Sequence, residues 1–125
     1  MIAAPRPMRP IDIASAAMRV VGIPQGEIVS RSRRPELVRA RELIAAAVRT
    51  LTDASLPEIG RLMCRYHTSV MVMVRRWMRR PPEDREELLH RVMLETLRPS
   101  RARWVVVTRD RSGGSRVRGG HRWHG

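Results

Sequence analysis

Apolar residues recur three or four positions apart in two long segments of the chain, which is the spacing of one helical face. The first segment covers residues 11–21 and is followed by Gly22; the second covers residues 35–51 and begins with a proline. Proline is well tolerated at the first position of a helix, and glycine commonly follows the last. We therefore predict a helix in each segment, with a short turn after Pro24 between them.

Two shorter helices are predicted in the middle of the chain. Ser55 and Glu58 have the spacing of a capping box, in which each residue caps the backbone of the other, so a helix begins there and runs to about Met63. Residues 64–66 form a tight connection, and the helical period resumes near His67. Two short helices joined by three or four residues form a helix-turn-helix.

The sequence after residue 80 changes character twice. Four acidic residues follow Pro81-Pro82, where the positive end of a helix dipole favours them, and an apolar face continues until Pro99 stops the helix. A brief β-like run at 104–108 then gives way to glycine, arginine, serine and histidine, a composition that cannot build a core. We expect an all-α fold of about five helices with a helix-turn-helix at its centre.

The 125 residues are enough for one domain with little to spare. We divide the chain into a flexible leader at 1–9, the helix-turn-helix domain at 10–80 and an additional amphipathic acidic helix at 81–98. A basic, mostly disordered tail completes the chain at 99–125.

The charge of the chain points to a polyanionic partner. All 25 basic residues are arginine, against 12 acidic residues, and the net charge is +13. Residues 1–80 and 99–125 carry the excess, whereas 81–98 is acidic. An excess of this size attracts DNA, RNA or anionic lipid.

Several classes of function are excluded by composition. The absence of lysine rules out a Walker A phosphate loop and Schiff-base chemistry. Cys64 is a single cysteine, and with His121 and His124 it makes a poor metal site, so neither a metal nor another cofactor is expected. No apolar run approaches the roughly 20 residues of a membrane span. We expect a cytoplasmic, nucleoid-associated protein that is not an enzyme.

Three segments in this order resemble the C-terminal DNA-binding domain of the bacterial replication initiator DnaA. They are the basic stretch Ser30–Arg34 leading into 38–44, the stretch Leu51–Gly60 with its Ser-Leu-Pro-Glu-Ile-Gly, and Arg65–Val70 with its His-Thr-Ser-Val. The resemblance covers about residues 10–80. It implies a helix-turn-helix of the Trp-repressor and DnaA type that binds double-stranded DNA site-specifically, in replication initiation or its regulation. The ATP-binding module that precedes this domain in the initiator is absent from the sequence, so we expect a stand-alone DNA-binding protein.

The resemblance also implies a role for individual residues. The helix beginning at His67 and Thr68 would enter the major groove, and Arg33 would enter the minor groove. Leu56 and Pro57 would touch thymine methyl groups, and several arginines would contact phosphates. The complete set of expected DNA-binding residues is Arg31, Arg33, Arg34, Arg41, Leu56, Pro57, Arg65, Tyr66, His67, Thr68, Ser69 and Arg75. Gly60 is expected to let the two short helices approach closely.

The sequence departs from the family's pattern in the turn. Tyr66 stands where the family usually has aspartate, and Met63-Cys64 stands where it has an aromatic residue followed by glycine. An aspartate could accept a hydrogen bond from cytosine, whereas tyrosine cannot carry the same code. We therefore expect a preferred DNA site that differs from the initiator's own.

Two other classes of function remain open from the sequence. One is non-specific binding of RNA or another polyanion, driven by the arginine-rich loop and tail. The other is a membrane-surface or protein-adaptor role through an amphipathic helix such as 11–21 or 82–97. The acidic balance of 82–97 argues against anionic lipid and favours a partner protein or a second copy. No small-molecule substrate is indicated.

Overall fold

The computed structural model describes residues 8–99, 102–109 and 115–117. The helices are α1 (Pro10–Val21), α2 (Gln25–Ile28), α3 (Pro35–Leu51), α4 (Leu56–Met63), α5 (His67–Met78) and α6 (Pro82–Glu95). Two short strands follow, β1 (Val107–Arg109) and β2 (Ser115–Val117).

The helix ends lie where local sequence signals put them. Proline occupies the first turn of α1, α3 and α6. Gly22 ends α1 in a left-handed conformation, with φ of 69°, and its N–H donates to the carbonyl of Met18 at 2.9 Å. At α4 the capping box is complete, because the Ser55 hydroxyl accepts from the Glu58 N–H and the Glu58 carboxylate accepts from the Ser55 N–H.

Helix α3 lies at the centre of the fold. Residues 41–48 of this helix are all buried, including the small side chains of Ala45, Ala46 and Ala47, which let neighbouring helices pack closely. Helices α1 and α5 pack against α3, and α6 packs against α1 with Val92 fully buried.

The prediction of an all-α fold containing a helix-turn-helix is confirmed. The described residues hold six helices rather than about five, because the turn predicted after Pro24 is the single-turn helix α2. Beyond the helices, β1 and β2 form an antiparallel pair in which Val107 faces Val117 and Arg109 faces Ser115.

The C-terminal segment contributes a core residue that the sequence analysis assigned to the tail. Trp104 is 2% exposed, and its indole N–H donates to the carbonyl of Leu62 at 3.2 Å. Its backbone N–H donates to the hydroxyl of Ser15 at 2.7 Å. Trp104 thus packs in the core, although it lies within the stretch 99–125 that the sequence analysis assigned to a basic, mostly disordered tail.

We call residues 102–106 the C-terminal strap, since polar side chains of α1 and α2 hold it in an extended path. The buried amide of Gln25 donates to the carbonyl of Val105 at 2.7 Å and accepts from its N–H at 2.9 Å. Arg19 donates to the carbonyl of Ala102 at 2.8 Å and pairs with Glu95 at 3.1 Å. The remaining tail positions, at 100–101, 110–114 and 118–125, lie outside the described residues, as do leader residues 1–7.

Candidate nucleic-acid interface

The turn between α4 and α5 is built around Gly60. A Cβ atom at Gly60 would overlap the carbonyl oxygen of Arg65 and lie 3.4 Å from the backbone nitrogen of His67. The N–H of Arg65 donates to the carbonyl of Gly60 at 2.8 Å. The expected close approach at Gly60 is confirmed, and the nearest atom belongs to the turn that joins the two helices.

Cys64 ends α4 in the left-handed conformation that favours glycine. Its φ is 58°, and its N–H donates to the carbonyl of Arg61 at 3.4 Å. A side chain in this region crowds its own backbone, which is the reason glycine is common just after a helix. The family's glycine in this turn, which the sequence replaces with cysteine, thus has a conformational reason.

The N-terminus of α5 is open to solvent. Tyr66 is the capping residue, but its side chain makes no capping hydrogen bond and is 79% exposed. His67 and Thr68 are also exposed, Ser69 is half-buried, and the first turn contains no acidic residue. Backbone N–H groups and the positive end of the helix dipole are therefore available to an anion or a base edge.

The basic loop, residues 30–34, exposes Arg31, Arg33 and Arg34. Arg34 lies 3.5 Å from the carboxylates of Glu27 and Glu36, a distance typical of weak surface ion pairs. Arg33 is exposed and lines the cleft described below, where its charge can meet a ligand.

Arg41 does not point outward as predicted. Its side chain is 5% exposed, with Nε donating to the carbonyl of Ile28 at 2.7 Å and Nη2 to that of Ser30 at 2.8 Å. Burial, and secondly the charge of Arg65, lower the pKa of Arg41. Burial and the use of two guanidinium nitrogens within the protein give Arg41 a structural role, and its predicted phosphate contact finds no support in its position.

The side chain of Arg65 also hydrogen-bonds to the backbone at the start of the basic loop. Nη1 donates to the carbonyls of Val29 at 3.1 Å and Cys64 at 3.2 Å, and Nη2 donates to the carbonyl of Ser30. Its guanidinium thus joins the turn of the helix-turn-helix to the start of the basic loop. These contacts give Arg65 a positioning role, and its predicted phosphate contact stays a prediction.

An arginine-lined cleft of about 480 Å³ lies between the start of α3 and the end of α5. Glu42 is the one acidic residue that lines the cleft, and its carboxylate is paired with Arg80 at 3.0 Å. The guanidinium of Arg80 also lies 5.0 Å from the ring centre of Trp77. The other arginines of the cleft have no carboxylate partner among the described residues; they are Arg33, Arg39, Arg76 and Arg79. The cleft therefore brings the basic loop and α5 to one positive surface.

Sequence reasoning had missed Arg39. Arg39 lies one helical turn after Pro35, on the exposed side of α3, whose other face is buried. The helical period of the apolar residues in α3 could have indicated that Arg39 faces outward.

The remaining predicted contacts differ in exposure. Pro57 and Arg75 are exposed, whereas Leu56 is half-buried at the start of α4. These positions agree with an outward-facing surface on the helix-turn-helix, although their contacts with DNA stay predictions.

Other kinds of site find little support in the described residues. These residues hold no group of three or more histidine, cysteine or acidic side chains that could bind a metal ion, and His121 and His124 lie outside them. Among the helices described, none is both long and apolar enough to cross a membrane. Met93, Leu94 and Leu97 at the end of the acidic helix are exposed, and the predicted partner contact through 82–97 stays a prediction.

Known proteins match the helical part of this chain. The profile of the family described as the bacterial DnaA protein helix-turn-helix matches residues 10–76. Chromosomal replication initiator proteins DnaA from two strains of Thermus thermophilus are each 36% identical to the chain over 88 residues. The aligned region is 68% of this chain and 20% of each relative, so the chain spans about a fifth of the relatives' length.

Proposed function

The chain belongs to the family of bacterial DnaA helix-turn-helix domains, and on that basis we propose that it binds double-stranded DNA sequence-specifically. The site would be of the DnaA-box kind, and the process would be replication initiation or its regulation. Because the chain covers a fifth of the DnaA relatives, their other activities are not carried over to it.

The N-terminus of α5 is the proposed reader of the major groove. His67 and Thr68 are exposed there and carry short polar groups that can donate to or accept from base edges. The methyl group of Thr68 can also touch a thymine methyl. Ser69, half-buried one position further, is suited to a phosphate oxygen, which fixes register without reading sequence.

Arg33 is the proposed reader of the minor groove, with Arg31 and Arg34 beside it. A narrow A·T-rich minor groove concentrates negative potential, and the thin, permanently charged guanidinium suits it. Leu56 and Pro57 at the start of α4 would add apolar contacts with thymine methyl groups.

The arginine-lined cleft between these two readers is the proposed path of the sugar–phosphate backbone. Arg39, Arg76 and Arg79 line it without carboxylate partners, and Arg75 is exposed on the same helix. A backbone that runs between a minor-groove and a major-groove contact would meet these charges, which attract phosphate at any sequence.

One observation carries the proposal beyond a general attraction to polyanions. Arg65, in the turn of the helix-turn-helix, donates to the carbonyls of Val29 and Ser30 at the start of the basic loop. The loop and α5 are thereby held at a fixed separation. A fixed separation is what two elements need if they are to read neighbouring grooves in register, whereas a charge-driven binder does not need it.

Selection of bound duplexes from a random pool, with the full chain at about 150 mM salt, tests the proposal. We expect one short motif to be enriched, and the enrichment to be lost in Arg33→Ala and His67→Ala. Arg98→Ala, which removes an exposed charge after α6, serves as the matched control and retains it. Binding without enrichment would leave non-specific polyanion binding as the function.

A further inference from the structure

A second groove, of about 460 Å³, lies between the end of α1, the start of α3 and α6. Its volume falls in the range of roughly 300–1,000 Å³ that is usual for ligand-binding pockets. We call it the apolar groove, because six apolar side chains that are not part of the arginine-lined cleft line it. They are Val20, Val21, Ile23, Ala40, Leu43 and Leu88.

Three arginines accompany this apolar lining. Arg39 of α3 and Arg91 of α6 are exposed at the groove, whereas Arg80, between α5 and α6, is half-buried and already paired with a carboxylate. Among the described residues that line the groove, Glu36 is the one acid, and its carboxylate lies 3.5 Å from the guanidinium of Arg34. The groove therefore combines an apolar lining with positive charge on its two flanking helices.

This combination matches a ligand that is both apolar and acidic. A phosphate gains nothing from an apolar lining, whereas an apolar side chain buried there is removed from water. Carboxylates beside that side chain would meet guanidinium groups, whose planar fork suits them. Because the arginines lie on separate elements, several carboxylates spaced along a peptide fit the groove better than a single small acid. The net charge of +13 also attracts an acidic partner.

We propose that the apolar groove binds a segment of a partner protein in which a large apolar residue is flanked by acidic residues. Arg39 and Arg80 line both this groove and the arginine-lined cleft. A bound segment that engages them competes with the phosphates of a duplex, so the partner lowers the affinity for DNA. This competition rests on the proposed function, whereas binding of the segment itself does not.

Selection from a random library of displayed peptides, with the full chain at about 150 mM salt, tests the proposal. We expect the enriched peptides to combine acidic residues with a large apolar one. A synthetic peptide of the enriched sequence is then titrated against the full chain and its variants by calorimetry.

Two matched pairs of variants on α6 locate the bound peptide. Arg91→Gln removes a charge that lines the groove and should weaken binding about three- to fivefold, whereas Arg98→Gln removes an exposed charge outside it and should not. Leu88→Ala truncates a lining residue and should weaken binding about tenfold. Leu89→Ala truncates its half-buried neighbour outside the groove and should have little effect. Since both leucines pack against the core, the second pair separates damage to the fold from loss of the groove.

Three results would overturn the proposal. Enrichment of purely acidic peptides would indicate attraction to the net charge alone. Equal weakening by the two members of either pair would place the peptide outside the groove. A selection that enriches no peptide would leave the groove without the proposed ligand.

The competition is tested with the same peptide and the duplex enriched by DNA selection. A saturating concentration of peptide should raise the dissociation constant for the duplex several-fold, and the duplex should raise that for the peptide by the same factor. An unchanged constant would refute the competition. Failure of the wild-type chain to bind the duplex, with the peptide still bound, would instead contradict the proposed function alone.

Discussion

The guanidinium groups of Arg41 and Arg65 donate hydrogen bonds to one acceptor, the main-chain carbonyl of Ser30. Arg41 reaches it from α3, and Arg65 reaches it from the turn of the helix-turn-helix. Burial lowers the pKa of Arg41, and repulsion by the nearby charge of Arg65 lowers it further. The start of the basic loop is thus fixed against two elements of the fold, three residues before Arg33.

The first prediction tests whether Arg41 stabilises the fold in the absence of DNA. Arg41→Met leaves the carbonyls of Ile28 and Ser30 without these donors, so we expect the free energy of unfolding to fall by about 2 kcal/mol. Urea unfolding without DNA measures it. Arg33→Met, at an exposed position of the loop, is the control and should stay within about 0.5 kcal/mol of wild type. Equal stability of the two variants would contradict the structural role.

The second prediction concerns the close contact at Gly60. Gly60→Ala places a methyl group against the backbone of Arg65, which cannot move aside as a flexible side chain would. We expect a loss of about 1–3 kcal/mol in thermal or urea unfolding. Arg61→Ala changes the next, exposed residue of the same helix and should cost little. Tolerance of Gly60→Ala at the wild-type stability would rule out the tight turn.

The third prediction uses the left-handed conformation of Cys64. Cys64→Gly should be more stable than Cys64→Ala by about 1 kcal/mol, because alanine keeps the crowding at positive φ and glycine relieves it. In a regular helix the order of the two would be reversed. Comparison of their denaturation midpoints therefore reports the local backbone conformation, and a more stable alanine variant would contradict it.

The helices of this fold could be predicted because their signals are local. The capping box at Ser55, the left-handed Gly22 and the prolines that open helices each act within one turn of the backbone. The position of α5 followed from the same kind of signal, since the apolar period resumes at His67. The outward-facing residues of the helix-turn-helix came from the resemblance to the DnaA family.

The roles of the charged residues could not be predicted, because they depend on contacts between distant parts of the chain. Arg65 meets Ser30, which lies 35 residues earlier, and Trp104 meets Ser15 across 89 residues. In the sequence, Trp104 begins a brief β-like run that follows an arginine-rich stretch and has no helical period. The polar residues Ser15 and Gln25, on otherwise buried faces of α1 and α2, were the sequence's one indication that another segment supplies their partners.

The fourth prediction follows from the uncapped start of α5. Tyr66→Asp supplies a carboxylate that can accept from the first-turn N–H groups, so the free energy of unfolding should rise by about 1 kcal/mol. Tyr66→Ala, which removes the exposed ring without adding an acceptor, should bring no such gain. Chemical denaturation of both variants measures the difference. If the aspartate variant is no more stable than the alanine variant, the first turn already has its partners.

The fifth prediction concerns the strap. Trp104→Ala removes a buried indole, and we expect it to cost about 3–5 kcal/mol in unfolding free energy. Arg103→Ala, an exposed neighbour on the same strap, should leave the stability close to wild type. Calorimetry of the two variants provides the comparison. Similar melting temperatures would mean that the strap is not part of the folded core.

The most direct test of the central claim is the ratio of two dissociation constants at one salt concentration. One duplex carries the motif enriched by selection, and the other has the same bases in shuffled order. Site-specific reading predicts tighter binding to the motif by at least about 10³-fold. His67→Ala should lower the ratio by about tenfold or more, because its loss acts on the motif alone. Equal affinity for the two duplexes would contradict sequence-specific binding and leave a DNA clamp driven by charge.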